Sequence, residues 1–524
     1  MLVEIDRGGS SPLYLQIHEQ LRDLILLGAL PEQTHLPPTR ELAKALDVNR
    51  TTVVNAYRRL WSEGLIEGRS GGGTVVVPYR PDRPVASERH LLAWEALYTE
   101  CVSEARCGLG PEQALADVGE NLISFALEVA SGDVSALYGV QEALAEPLLR
   151  EKGILGHPPP QGDLRLRRLV AERLELEGIR ATPSQVLILS GAEQGIFVVG
   201  QALLGHGDGV AAASPTCPAA LRALRTLGAR VHLIPMDEEG LRLDVLEGIL
   251  KRFHPKLIFV EPTFENPTGI TMSLARRQGL LEVAYRHHVP IFELDAYSHL
   301  HYEDHPLPAL KALDRQNHVL YMGTSSAIIP ALRVAWLVGP QRVARQLAPL
   351  KNSIEASTSG LGQAMACAII PWLDAHLDTI VSVYRGRRDA MCEGLERNCH
   401  GLIRFVRPAG GLFLWGELEH GLSAKPLLDE ALRAGVTYVP GSLFYPEGRG
   451  GKRSLRLNFA CEPEDRIAEG VARLGSAIRG EAAGKLARSS ARGEKGPAWA
   501  HRPVLAPEIA STDLAWEMNR RMAG

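Results

Sequence analysis

From about residue 121 to about 480 the chain alternates short apolar runs with stretches of helical period, and this alternation constrains the fold more than any other feature. The apolar runs are VLILS (186–190), GVAAAS (209–214), LIFVEP (257–262), VPIFELD (289–295) and HVLYMG (318–323). Such runs suit strands buried on both faces. Between them lie amphipathic stretches such as LARRQGLLEVAYRHH. The pattern predicts an α/β domain with a mainly parallel sheet covered by helices on both sides. After a long helical region, GLFLWGEL, VTYVPG and SLRLNFA predict three more strands in a small α+β lobe at the C-terminal end.

Residues 1 to about 78 read differently. A first helix is expected from about Pro12 to Leu27, with Leu13, Ile17, Leu21, Leu24 and Ile25 on one stripe and Gly28 as its stop. A short second helix follows, capped by Thr39, with Leu42, Ala43 and Leu46 facing inward. Asn49 caps a third helix whose inner face is Val53, Ala56, Tyr57 and Leu60. Its opposite face carries Arg50, Thr51, Asn55 and Arg58, side chains with the reach for phosphates and base edges. LIEGR-SGGG-TVVV then predicts two strands joined by a glycine turn, a wing with Arg69 at its base. Charge alone does not decide what this unit does. Residues 1–78 hold eight basic and nine acidic residues, while 39–69 hold six basic and four acidic. A winged helix-turn-helix and a plain interaction module both remain open on these grounds.

Four segments are therefore expected: a head at 1–78, a polar linker at 79–120, the α/β domain at 121–480 and a disordered tail at 481–524 that ends in a short amphipathic stretch, TDLAWEMNRRM. With 524 residues there is room for several domains. The seven cysteines form no C-x-x-C pair and no metal-ligand spacing, so no metal site is expected. Free thiols fit a reducing cytoplasm. No basic-then-apolar leader and no run of about 18 apolar residues is present, so no membrane span is expected.

The blocks LPPTRELA, VNRTTVVNAY and EGLIEGRSGGGTVV resemble, at the right spacing, the GntR-type winged helix-turn-helix. The resemblance implies contact with double-stranded operator DNA through Arg40, Arg50, Thr51 and Thr52, with the wing at Gly72 approaching the minor groove, and Arg69, by its place at the base of the wing, has the reach for that groove or for a phosphate. Residues from about 121 to 478 resemble fold-type I aminotransferases, which use pyridoxal phosphate (PLP). LSGAEQGI (189–196) is similar to the turn that binds the cofactor phosphate, placing Ala192 and Glu193 there. ENPTG (265–269) places Asn266 on the pyridoxal oxygen, PALRVAW (330–336) places Arg333 on the phosphate, and SLRLNFA (454–460) places Arg456 on a substrate carboxylate. Tyr297 and Thr324 belong to the same implied ligand set. A GntR head on such a domain resembles the MocR-type regulators.

The match departs from the family where the cofactor chemistry lies. PLP chemistry needs a Schiff-base lysine and an acid facing the pyridine nitrogen. The block GTSSAIIPALR (323–333) contains no lysine; the position falls on Ala327 or Ser326, depending on the direction of counting. The acid position in ELDAY (293–297) falls on Leu294, with Asp295 on the other face. The stacking aromatic falls on Cys217 in SPTCP, and a tyrosine expected near the start of the domain on His157 in LGHPPPQGD. Cys217 reads as a buried inert thiol or as a reactive one. The expectation is a cytoplasmic, head-to-tail homodimeric transcription regulator with a degenerate PLP site and no enzyme activity. PLP would bind non-covalently at best, and the retained arginines point to an anionic small-molecule effector. A working aminotransferase and a purely structural dimerisation domain are the alternatives.

Overall fold

The structure, a computed structural model, describes residues 3, 5–7, 12–69, 73–77, 121–130, 145, 156–303, 306–325 and 328–491, without the side chains of 69, 447 and 486–491. The chain divides into two compact units, Met1–Tyr98 and Thr99–Gly524, and the division falls inside the expected linker. The linker itself, and TDLAWEMNRRM, lie outside the described residues.

In the first unit, α1 (Leu13–Leu26), β1 (His35–Leu36), α2 (Thr39–Ala45), α3 (Arg50–Ser62), β2 (Ile66–Arg69) and β3 (Gly73–Val76) follow in order. Helix α1 ends as predicted, with Gly28 at φ +75°, where a side chain would be strained. Helix α3 buries Val53, Ala56, Tyr57 and Leu60, the face read from its spacing. Its Asn49 cap accepts a hydrogen bond from the Thr51 amide at 3.0 Å. Thr39, expected as the cap of α2, is instead its first residue. Pro38 occupies the cap position without a side-chain bond, since proline presets the entry torsion and Thr39 needs no capping role. Strands β2 and β3 form the antiparallel wing, and β1 adds to β3 on the other side. The Tyr57 hydroxyl donates to the Pro37 carbonyl at 2.8 Å and so ties α3 to the entry of α2.

The second unit is built on an eight-stranded sheet. Its strands are β5 (Val186–Leu189), β6 (Gly209–Ser214), β7 (Arg230–Asp237), β8 (Gly240–Leu241), β9 (Leu257–Val260), β10 (Ile291–Asp295), β11 (Val319–Thr324) and β12 (Ala335–Val338). The order is β5-β12-β11-β10-β9-β6-β7-β8. All five predicted strands are present. Strand β12, hidden in the block read only for Arg333, runs antiparallel to both its neighbours. It follows β11 after a short connection, and a parallel return would need a longer crossover.

Alternate residues of the sheet enter different cores, as the pleat requires. Ala212, Phe259 and Phe292 pack under α5 (Ala192–Leu203), α6 (Pro218–Thr226) and α10 (Gln341–Ile354). Ala211, Ile258 and Ile291 face α7 (Leu243–Phe253) and α8 (Leu274–His287). A third core joins the sheet's β5–β12 edge to α4 (Leu164–Leu176), to α11 (Gly360–Asn398) and to the C-terminal lobe.

That lobe holds β13 (Ile403–Phe405), β14 (Phe413–Leu418), β16 (Val439–Pro440) and β17 (Ser454–Asn458) in an antiparallel sheet. VTYVPG splits in two. Its first half, β15 (Val436–Thr437), pairs instead with β4 (Ile123–Ser124), while Tyr438 between the halves turns inward to donate to the Ala424 carbonyl at 2.6 Å. The last helix, α13 (Glu464–Ala491), carries on past 480 and corrects the expected start of a disordered tail. Burial of Ile467, Val471, Leu474, Ile478 and Ala482 on one face holds it to the core beyond that boundary.

Helix α11 is long and apolar enough to cross a membrane by length and composition, unlike any run read in the sequence. Its Ile369, Ile370, Leu373, Ile380, Tyr384 and Leu395 are buried in the shared core, which accounts for that composition.

Candidate functional site

The outward face of the head presents Arg40, Arg50, Thr51, Asn55 and Arg58 exposed, with Thr52 half-buried beside them. Arg40 lies in the first turn of α2, and Arg50, Thr51 and Thr52 lie in the first turn of α3. Helical period accounts for Thr51, Asn55 and Arg58, which lie opposite the stripe of Val53, Ala56, Tyr57 and Leu60, while Arg50, three residues before Val53, is exposed as the first residue of α3. Gly72 and the Arg69 side chain lie outside the described residues.

In the second unit a cavity opens at the C-terminal ends of β10 and β11, against the N-terminus of α5. It is lined by Ala192, Glu193, Cys217, Glu261, Asn266, Leu294, Tyr297, Thr324 and Arg333, and by Glu128 and Val129 from the segment after β4. Six of the seven residues assigned to the ligand pocket by resemblance therefore meet here. The seventh, Arg456, does not line it. His157 is exposed, with Nδ1 3.4 Å from the Ser357 hydroxyl. Ser326 and Ala327 lie outside the described residues.

The phosphate-turn end is closed on itself. Gly191 enters α5 at φ +126°, and a Cβ there would come within 2.8 Å of an Arg333 guanidinium nitrogen. Glycine is what lets Arg333 approach the turn. Arg333 donates through Nη2 to the Glu193 carboxylate at 3.0 Å. The neighbouring Ser190 hydroxyl and Gln194 amide both donate to Glu355, at 2.6 and 2.9 Å. The turn therefore meets two carboxylates of its own chain.

Arg456, expected to grip a ligand carboxylate, is fully buried and bound internally. Nη2 donates to the Ala126 carbonyl at 2.8 Å, and Nη1 donates to Asn266 Oδ1 at 3.2 Å and Glu128 at 3.4 Å. Its guanidinium lies 4.3 Å from the Phe413 ring centroid and 5.3 Å from that of Phe444. Asn458 adds bonds to the Leu127 and Val129 carbonyls, at 2.8 and 2.9 Å. Arg456 and Asn458 thus pin the 123–130 segment over the sheet, and Arg456 is spent on that task. Both guanidinium groups on which the anionic-effector expectation rests face carboxylates in the folded chain, Arg333 in a half-exposed pair with Glu193 and Arg456 at 3.4 Å from Glu128.

Leu294 does point into the cavity, and Asp295 to the other face, where it accepts from the Tyr321 hydroxyl at 3.0 Å. Cys217 is buried, and burial followed by the nearby Glu261 and Glu128 pushes its thiol well up, which favours the inert reading. The two other lysines weighed from the sequence are engaged elsewhere: Lys351 donates to the Pro160 carbonyl at 3.1 Å, and Lys311 pairs with Asp314 at 3.3 Å.

Neither Glu261 nor Glu128 stands out in the sequence motifs. Glu261 is 7% exposed, and burial, then the neighbouring Glu265, raises its carboxyl far above the usual range. A signal for it does exist: a carboxylate closing LIFVEP, otherwise an apolar strand end, has no structural reason to be there.

Comparison with known proteins agrees with both units. The model for bacterial regulatory proteins of the gntR family matches residues 13–76, and that for aminotransferase class I and II matches residues 128–474. The uncharacterized HTH-type transcriptional regulator YisV of Bacillus subtilis is 30% identical over 464 residues, 87% of this chain and 93% of its own length. The probable rhizopine catabolism regulatory protein MocR of Rhizobium meliloti is 28% identical, over 91% of this chain and 96% of its own. Among solved structures, the alpha-aminoadipate aminotransferase LysN of Thermus thermophilus superposes with a TM-score of 0.69 at 34% identity, covering 75% of this chain and 100% of LysN. A gntR-family head joined to a class I and II aminotransferase domain, shared with regulators along most of its length, makes this chain a member of the MocR-type regulators.

Proposed function

We propose that the aminotransferase-like domain of this regulator serves dimerisation and ligand sensing, and that it has left transamination. The observation that carries this reading is the lining of the cavity: no lysine stands among the described residues there, and Leu294 takes the place of an acid. The block from 323 to 333, which includes the undescribed Ser326 and Ala327, contains no lysine either. A pyridoxal phosphate does not fit this lining. Its phosphate would meet Glu193 on Arg333, and its ring nitrogen would meet an apolar side chain that cannot keep it protonated.

The head binds double-stranded operator DNA through Arg40, Arg50, Thr51 and Thr52, with Arg69 and Gly72 of the wing on the same duplex. Two heads carried by a head-to-tail homodimer would read repeated half-sites. A ligand in the cavity would act by favouring one arrangement of the heads over another.

The test is a titration of the purified chain with PLP, followed by borohydride reduction and mass spectrometry. The expected result is no lysine adduct, no rise in thermal midpoint and no transaminase activity. An adduct on a single lysine, with amino-group transfer, would restore the enzyme reading that the likeness to LysN invites.

A further inference from the structure

The cavity has the wrong charge for the anion its fold was built around. Glu128, Glu193 and Glu261 line it, against Arg333 alone. Arg333 is matched by Glu193. Arg456, the nearest remaining cation, reaches Glu128 only at 3.4 Å while bonding to the Ala126 carbonyl at 2.8 Å. Glu261 forms no ion pair among the described residues. Its Oε2 accepts one bond, from the Asn266 amide at 3.2 Å. Arg456 favours its charged form, but less than burial and the neighbouring Glu265 oppose it. A carboxyl buried to this degree beside Glu265 and Glu128 stays protonated until a positive charge arrives. Cys217 and Tyr297, the other titratable groups facing it, are themselves held neutral by burial.

We propose that the cavity binds a small organic ammonium ion, its charged head between Glu261 and Glu128 and its short apolar chain against Leu294, Ile196 and Tyr297. The apolar wall favours an alkylammonium over an inorganic cation, and a cavity volume of ≈ 80 Å³ favours a short chain. An α-amino acid is a poorer fit: its carboxylate would meet Glu193 or Glu261, and Arg456 is enclosed. The inference rests on the reading of the domain as a sensor rather than an enzyme.

The experiment is calorimetric titration of the full-length chain with n-butylammonium chloride, in two buffers of different ionisation enthalpy. The expected result is saturable binding with proton release, tightening as pH rises and Glu261 gives up its proton more readily. Glu261→Gln keeps the shape and an acceptor for the Asn266 amide, and is expected to weaken binding by at least about tenfold. Glu128→Gln carries the same expectation and keeps the test alive if the first variant does not fold. Norvaline is expected to bind more weakly than butylammonium. The proposal is overturned if butylammonium gives no heat beyond that of potassium chloride, or if neither variant alters its binding. Operator binding, followed by fluorescence anisotropy on the same preparation, is scored separately. A chain that ignores the amine but holds DNA loses only this inference; one that forms a PLP adduct loses the sensor reading beneath it.

Discussion

The two candidate sites of this chain treat their arginines in opposite ways. In the head, Arg40, Arg50 and Arg58 stand exposed, and among the described residues they form no ion pair. In the larger unit, Arg333 lies on Glu193, and Arg456 is buried among two phenylalanine rings, Asn266, Glu128 and a backbone carbonyl. A surface that must receive phosphates keeps its guanidinium groups free, because a standing partner would have to be displaced on binding. In the pocket both arginines meet carboxylates of their own chain, Arg456 while fully buried and Arg333 in a half-exposed pair. Retention of a family's arginines therefore says little until their partners are known.

Four substitutions test this contrast. The largest effect is expected from Arg456→Ala. Removing a buried guanidinium strands Glu128 and the Ala126 carbonyl, and the larger unit should lose about 3–5 kcal/mol in denaturant unfolding. A loss of ligand response with full stability would show instead that Arg456 is a ligand handle. Arg50→Ala comes next. Operator affinity should fall by about 1–3 kcal/mol if Arg50 reads a base edge, measured by anisotropy at fixed salt, while the thermal midpoint barely moves. Asn49→Ala removes the cap of α3 and should cost the head about 1 kcal/mol. Glu193→Gln is expected to change stability least, by under about 1 kcal/mol, since both partners are half exposed. Its value is qualitative: with Arg333 released, inorganic phosphate should begin to stabilise the chain, and its failure to do so would mean that Glu193 is not what closes the turn.

The contrast extends to pH. Glu261, Glu265 and Glu293, buried carboxyls whose burial raises their folded pKa, all belong to the larger unit. Burial pushes both Glu265 and Glu293 up to about 7. A carboxyl whose folded pKa lies above its unfolded value contributes most below the unfolded value, and that contribution is lost as pH rises through the folded one. The unfolding midpoint of the larger unit should therefore fall between about pH 4.5 and 7. Glu265→Gln should flatten part of that fall in a pH series of thermal melts.

The order of elements was legible in the sequence because it depends on local periodicity. The inner face of α3, its Asn49 cap, the glycine stop of α1 and the buried strands all follow from spacing within one element. So does the placing of Leu294 in the cavity and Asp295 away from it, since strand side chains alternate. The family blocks also located six of the cavity's residues by number. What spacing does not contain is which charge meets which. Glu193 and Arg333 are 140 positions apart, and Glu128 and Arg456 are 328 apart. Strand β12, running against its neighbours, brings β5 and the turn after it close to Arg333. The α13 helix outlasts its expected end because a core formed by distant segments holds it. Local spacing was enough for most of the elements, though not for β12 or the end of α13, and for the kinds of side chain at the cavity. Only the closed fold decided that those arginines are taken and that Glu261 is not, because ion pairing is settled by distance in space.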